Sequence, residues 1–446
     1  MNYFDISALG KETGTARQMR IIFWALLCFS LVARVVLSLM IGLRPDPSYL
    51  DLGDEREYYE LSSNILHGGS GFNLRRPIGY VSYLALLRFV TFDNFTLLQI
   101  ANAAISSLAA PLTYLLVLRV VGNNPVAVLS ALLVALWPPF IFYGSTIYSE
   151  TATLPLFVLF LLTMPRASLS GQGLPQRFVP WLASGALLGI CTIFRPMYLL
   201  FLPFALFIIG VEEPRWCEAF RRAIPFVLGF ALLLLPYSAY LSIKSGGLVF
   251  LSTTGGEVLA QGLNPDLIRK GYIFGSTPES RAIWTGPGKI TVPYSDTGYL
   301  SEEEEKLPLP QVDALLRQRT IQWVVGNPGQ ALYLQSAKLA YMWGVYPFFL
   351  GWRTVFLNTI SLGALCLGIA AVVQFGRWYR HLARFWLLPI YVSGIAMISW
   401  GSWRYREPGD LGLLVLCAMF VLALKIPISS ITASGEARGE RERSLQ

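Results

Sequence analysis

Pro77-Ile-Gly-Tyr-Val-Ser-Tyr-Leu-Ala-Leu-Leu-Arg-Phe-Val-Thr91 is the stretch on whose reading the rest of the chain turns. It is apolar, yet it falls short of the roughly 20 residues that a spanning helix needs, and Arg88 interrupts it. The pattern predicts a helix lying at the membrane surface. With that placement the short basic loops further along all fall on one side of the bilayer, and both termini share that side, as the positive-inside rule requires. Laying 77–91 across the bilayer inverts every later loop and breaks that sorting of the short basic loops.

The composition sets the frame. The chain has 446 residues, of which 54% are hydrophobic and only 14% charged, against about 25% charged in soluble domains. This is an all-α polytopic membrane protein. The formal charge of +8 does not point to nucleic acid, because the basic residues lie between apolar runs and in the C-terminal tail, where cytoplasmic loops account for them. Of five cysteines, Cys28, Cys191, Cys366 and Cys417 lie in apolar runs and Cys217 in a short basic loop. No disulfide framework and no zinc spacing follows. The run from Ile21 is too long for a signal-peptide core and reads as an uncleaved first span.

About ten spans are expected on this register: Ile21 to Leu43, Phe95 to Val121, Val126 to Tyr143, one after Glu150, Trp181 to Phe194, Tyr198 to Gly210, Ile224 to Ile243, Val355 to Phe375, Phe385 to Trp400 and Leu411 to Leu424. The transmembrane domain covers 1–424, with outer loops 44–94 and 244–354, and 425–446 forms a cytoplasmic tail. Ala331 to Tyr346, mixed apolar and aromatic, reads as a second surface helix.

The first outer loop carries Leu52-Gly-Asp-Glu-Arg-Glu-Tyr-Tyr59. Asp54 stands three residues before Glu57, the spacing of a capping box; Tyr58, Leu61, Ile65 and Leu66 share a helical face, and His67-Gly68-Gly69 ends the run with a glycine signal. Asp54 is thus a helix cap, a catalytic base, or both, since a helix start holds a carboxylate in place while one oxygen stays available. Glu302-Glu-Glu-Glu305 reads as another helix start with Ser301 as its cap, and Gly255-Gly256 as a turn.

The same outer side collects Asp54, Glu55, Arg75, Arg76, Glu150, Arg195, Arg404 and Arg406. A hydroxyl nucleophile needs a carboxylate to take its proton. A phosphate leaving group needs fixed guanidinium forks. Arg404 and Arg406 stand two apart and Arg75 and Arg76 are adjacent, so one of each pair is expected to reach a common site. Arg34, inside the first span, faces either a cavity or a hydrogen-bonding neighbour helix. Asp54, Glu55 and Glu150 are hard oxygen ligands able to hold a divalent cation.

Gly53-Asp-Glu-Arg-Glu-Tyr58, Arg75-Arg-Pro-Ile-Gly-Tyr80, Tyr148-Ser-Glu150 after Pro138-Pro139, Phe194-Arg-Pro196, Ser252-Thr-Thr-Gly-Gly-Glu257 and Arg404-Tyr-Arg-Glu-Pro408 occur in that order. The series resembles the polytopic GT-C glycosyltransferases, in particular the branch of protein O-mannosyltransferases and lipid A aminoarabinose transferases, over most of the chain to about Leu424. The resemblance implies inverting transfer of a sugar from a polyprenyl-phosphate donor to a glycan, lipid or protein acceptor on the outer face of the inner membrane. It also implies Asp54 as general base with Glu55 in support, Arg76 and Arg75, Arg195, Arg404 and Arg406 toward the donor phosphate, and Glu150 and Tyr58 as further site residues. Arg76-Pro77-Ile78 departs from the lysine and two prolines usual in the aminoarabinose enzymes, and 244–330 is too short for the folded insertion of the mannosyltransferases. A transporter or flippase of a lipid-linked or anionic substrate is the alternative; such proteins show paired, interrupted spans in two related halves, and no internal repeat is visible here.

Overall fold

The computed structural model describes residues 13–41, 54–69, 73–165, 174–213, 215–264, 300–344, 352–376, 380–399, 401 and 403–423. The expected tail 425–446, Tyr346 and positions 265–299 of the long polar segment lie outside the described residues. The described residues form helices α1 (Thr13–Ile41), α2 (Asp54–Leu66), α3 (Ile78–Val90), α4 (Phe95–Ser107), α5 (Ala109–Val121), α6 (Asn124–Leu136), α7 (Pro138–Gly144), α8 (Glu150–Thr163) and α9 (Leu174–Phe194). They continue with α10 (Leu202–Glu212), α11 (Trp216–Ser245), α12 (Gly255–Gly262), α13 (Glu302–Glu305), α14 (Leu309–Gly326), α15 (Pro328–Met342), α16 (Trp352–Gln374), α17 (Ala383–Ile398) and α18 (Glu407–Ala423).

The local signals are the expected ones. Asn94 caps α4 by accepting from the Leu97 N–H, and Asn123 caps α6 by accepting from Val126, which satisfies donors that a helix start leaves open. Ser301 caps α13 as expected, and Glu304 completes a capping box with it. Gly68, with φ of +77°, follows the end of α2 in the left-handed conformation that glycine takes at low cost. Gly255-Gly256 differs from its expected role: the pair opens α12, and the Gly256 N–H donates to Asp313 Oδ1 at 2.5 Å. A Cβ on Gly256 would meet the Asp313 carbonyl at 2.0 Å, so this glycine serves close helix packing.

Among the described residues four helical stretches are long and apolar enough to cross a membrane: 16–36, 95–121, 216–245 and 355–374. A fifth is obtained by counting α6 and α7, bent by 57° at their break, as one span. The remaining apolar helices have 10–17 residues, so length alone does not reach the expected ten. Proline explains part of the shortfall, since Pro196 opens a 3-10 turn through Phe201 that separates α9 from α10. α3, with 13 residues, extends about 20 Å at 1.5 Å per residue against a hydrocarbon thickness of about 30 Å. α8 is as short, but it is buried on nearly all sides, whereas α3 leaves Leu86, Phe89 and Val90 exposed. The arginine that interrupts α3 is paired: Arg88 reaches Asp93 at 2.6 Å, the Tyr59 carbonyl at 2.8 Å and Ser62 at 2.9 Å.

One core joins α5, α6, α8, α9, α10, α11, α17 and α18 through Phe157, Phe160, Phe201, Phe226 and Tyr391. A second, smaller one joins α2, α3, α4 and the start of α8 through Tyr58, Tyr80, Leu84, Phe95 and Ala152. Apolar side chains on α1, α11 and α16, among them Trp24, Leu232 and Val373, are exposed, as lipid contact requires. Arg384 closes the end of the bundle at the C-terminus of α8. It pairs with both Glu212 oxygens at 2.7 Å and donates to the carbonyls of Leu161, Met164 and Pro165.

α9 and α11 approach until backbones touch. A Cβ on Gly185 would lie 1.8 Å from the Phe226 carbonyl, and one on Gly229 would lie 2.0 Å from that of Leu182. In lipid, where apolar tails compete with apolar side chains, such close van der Waals packing through small residues is what holds helices together. Gly185→Leu is therefore expected to lower stability by about 3 kcal/mol or more through overpacking. Thermal unfolding of the detergent-purified protein checks this, and an unchanged melting temperature would show that the two helices can separate freely.

Candidate active site

α2 opens on Asp54, and its first turn carries Asp54, Glu55 and Glu57. Residues at i, i+3 and i+4 share a helical face, so Asp54, Glu57 and Tyr58 point together while Glu55 points elsewhere. Arg76 stands just before Pro77, the cap of α3, and faces the first group. Its Nε donates to Glu57 at 2.8 Å, its Nη2 donates to Asp54 Oδ1, and its guanidinium lies 5.3 Å from the centre of the Tyr58 ring. The acids read as a capping box thus spend their oxygens on an arginine from the next helix.

Arg404 comes from the other end of the sequence, in a 3-10 turn over Trp403–Arg406. Its Nη1 donates to the second Asp54 oxygen and its Nε to Glu150, with Nη2 also 3.2 Å from Glu150 Oε2. The Tyr148 ring lies 4.5 Å from this guanidinium. Arg195 carries the line on, reaching Glu150 at 3.0 Å and Glu407 at 3.2 Å. The result is an alternating chain, Glu57, Arg76, Asp54, Arg404, Glu150, Arg195 and Glu407, drawn from five separated segments. Asp54, Glu150 and Glu407 are each the first residue of their helix, so the positive ends of three helix dipoles converge on the same place.

The chain is graded in exposure. The side chains of Glu150 and Glu407 are shut off from solvent at 0% and 2%, whereas Asp54, Arg76 and Arg404 keep 22%, 23% and 19%. Burial alone pushes the Asp54 carboxyl up, but Arg404 and then Arg76 outweigh it and hold the group well below the usual carboxylate range.

The other expected residues go elsewhere. Glu55 is buried and accepts from the Ile147 N–H at 2.9 Å, which fixes α2 against the segment leading to α8. Arg75 turns to Glu257, 2.8 Å away, at the surface. Arg406 turns into the core, to Asp410 at 2.7 Å, the Met342 carbonyl at 2.7 Å and Ser361 at 2.8 Å. One member of each arginine pair reaches the cluster, as the spacing implies. Arg34 bonds to Ser30 and to Ser106 on α4, at 2.5 and 3.0 Å, and so ties helices together. Among the described residues no group of three or more His, Cys, Asp or Glu side chains is placed to hold a metal ion: Arg404 stands between Asp54 and Glu150, and Glu55 is turned away.

Three residues of this arrangement were not singled out for it in the sequence. Glu57 was legible only as a capping partner, and Glu407 lay unassigned within the Arg404 motif. Lys338 gave no signal at all, being a lone charge on a mixed helix. Its Nζ is buried and donates to the carbonyls of Gly262, Met397 and Ser399 at 3.0, 3.1 and 2.9 Å, two of which end α17, where a cation complements the helix dipole. A Cβ on Gly401 would meet the Lys338 carbonyl at 2.5 Å. Lys338 thus anchors the upstream end of the Arg404 turn and Arg406 the downstream end. Gly79 sets a further spacing, since its Cβ would lie 2.7 Å from the Ile193 carbonyl and 2.8 Å from the Phe194 ring, just ahead of Arg195.

No protein-family model and no curated protein matches the sequence. Solved structures do. The archaeal oligosaccharyltransferase AglB from Archaeoglobus fulgidus, in complex with an inhibitory peptide and a dolichol-phosphate, superposes with a TM-score of 0.53 at 16% identity, over 93% of this chain and 52% of that one. The Archaeoglobus fulgidus oligosaccharyltransferase tethered to an acceptor peptide containing the NVT sequon gives 0.51 at 16% identity, over 90% and 50%. The chain spans about half the length of these solved chains. At this identity the likeness is one of fold: the chain has the helical membrane fold called GT-C.

The Lys338 ammonium is pushed down by burial to about 7 from its ordinary 10.5. Between those values the unfolded chain binds a proton that the folded chain does not, so stability is lowest below about pH 7 and rises as the pH climbs toward 10.5. The melting temperature is expected to rise from pH 6 to pH 9, and Lys338→Met is expected to lose that increment. Parallel pH dependence in the two proteins would assign the effect to other groups.

Proposed function

We propose that this protein is an inverting glycosyltransferase that moves a sugar from a polyprenyl-phosphate donor to an acceptor hydroxyl at the outer face of the membrane. The observation that carries the reading is the bridge Arg76–Asp54–Arg404, where one partly accessible carboxylate lies between two guanidiniums at one end of a membrane helix bundle. In this reading the acceptor hydroxyl attacks the anomeric carbon, Asp54 takes its proton, and the bond to phosphate breaks with its electron pair leaving on the lipid phosphate. Arg76 and Arg404 hold the phosphate charge as it develops. Glu150, Glu407 and Arg195, buried behind them, keep Arg404 aimed. The fold shared with archaeal oligosaccharyltransferases supports the reading, since one of those structures carries a dolichol-phosphate and the other an acceptor peptide. Exposed apolar side chains on α1 and α11 give a lipid-tailed donor a membrane to stay in while its head reaches the cluster.

General-base catalysis is worth about 10²–10⁴ in rate, so Asp54→Asn is expected to lower kcat by at least about 10² while the protein inserts and melts as before. Arg76 keeps Glu57 and Arg404 keeps Glu150 in that variant, which preserves the local scaffold. The check is transfer from a radiolabelled polyprenyl-phosphate sugar by purified protein. Wild-type turnover by Asp54→Asn would sink the assignment.

A further inference from the structure

Both oxygens of the residue read as the base are already occupied. Asp54 Oδ1 accepts from Arg76 and Oδ2 from Arg404, so the carboxylate spans the two guanidiniums as the two non-bridging oxygens of a phosphate ester do. Each arginine also has a second carboxylate that Asp54 does not share: Glu57 for Arg76 at 2.8 Å, and Glu150 for Arg404. Rings flank both guanidiniums, with Tyr58 5.3 Å from Arg76 and Tyr148 4.5 Å from Arg404. If an anion enters, the arginines are held and the short side chain of Asp54 is the part free to turn. The exposure gradient agrees, because the bonds to Asp54 lie on the accessible side and the partner behind Arg404 is sealed off.

We infer that Asp54 occupies the donor's phosphate position, and that a prenyl phosphate ester binds by exchanging with it on Arg76 and Arg404, releasing the carboxylate as a base only once the donor is in place. The inference rests on the proposed transfer reaction and adds an order to it. Donor binding precedes activation of the acceptor hydroxyl, because a carboxylate neutralised by two guanidiniums is a poor proton acceptor. No bond is made or broken in the exchange: two charge-assisted hydrogen bonds move from carboxylate to phosphate oxygens, and the freed carboxylate turns toward the acceptor.

The exchange makes a prediction opposite to that of a simple contact residue. If Asp54 competes with the phosphate, removing its charge frees the arginines, and the competition term disappears from the apparent affinity. Binding of farnesyl phosphate to purified protein in lipid nanodiscs is to be measured by calorimetry for the wild type, Asp54→Asn, Asp54→Ala and Arg404→Gln, each checked by thermal unfolding. Asp54→Asn and Asp54→Ala are expected to bind about tenfold tighter than wild type or better, and Arg404→Gln at least about tenfold weaker. Equal or weaker binding by folded Asp54 variants, with the Arg404 dependence intact, overturns the exchange and leaves the donor-phosphate reading standing. Binding that ignores Arg404→Gln, or no binding by any of the proteins, overturns both. Should one Asp54 variant fail to fold, the other decides.

Discussion

The guanidinium of Arg404 is the joint on which this structure depends. It holds Asp54, 350 residues away in sequence, and Glu150, 254 residues away. A planar fork with several donors can serve two carboxylates at once, which an ammonium cannot do with the same geometry. A charge so enclosed is tolerable only when paired, and removing one partner leaves the other stranded. The three segments are thus coupled: α2, the start of α8 and the turn before α18 find their places together. The fastening of that turn at both ends, by the Lys338 contacts with carbonyls and by Arg406 with Asp410, follows from the same need, because a fork aimed at two acids works only if its backbone is held.

The alternating charges also account for where helices begin. Three acids of the cluster are first residues of helices, where the helix dipole favours negative charge. For Asp54 and Glu150 the neighbouring arginines outweigh burial and favour the ionised form, while burial and the nearby Glu150 push the Glu407 carboxyl well above its usual range. At the other end of α8, Arg384 receives the carbonyls of Leu161, Met164 and Pro165. One short helix therefore has its N-terminal end facing arginines through Glu150 and its C-terminal end covered by an arginine directly. Its 14 residues separate the two clusters by about 20 Å.

Much of this was legible in the residue order. Apolar runs and charge sparsity gave the helical membrane class, and Arg75-Arg76 and Arg404-x-Arg406 were readable as pairs of which one member each is used, since neighbouring positions diverge in direction. The capping signals at Ser301 and Gly68 were equally plain. The span count was not legible in the same way, because hydropathy registers apolar residues whether they face lipid or other helices. Glu57 was hidden by its own spacing, which serves a helix cap as well as an arginine across the site. Lys338 was hidden for a different reason. Its partners are three backbone carbonyls, and a carbonyl leaves no mark in a sequence.

Gly79 carries a consequence of another kind. The atoms that a side chain there would strike belong to Ile193 and Phe194, so the distance between the Arg76 strand of backbone and the Arg195 corner is fixed by an absent methyl group and not by the strength of any ion pair. Electrostatic attraction supplies the pull in this cluster, while steric vacancy supplies the ruler. Exchanging one charged partner for another leaves that spacing in place, whereas any side chain at position 79 must push the two backbones apart.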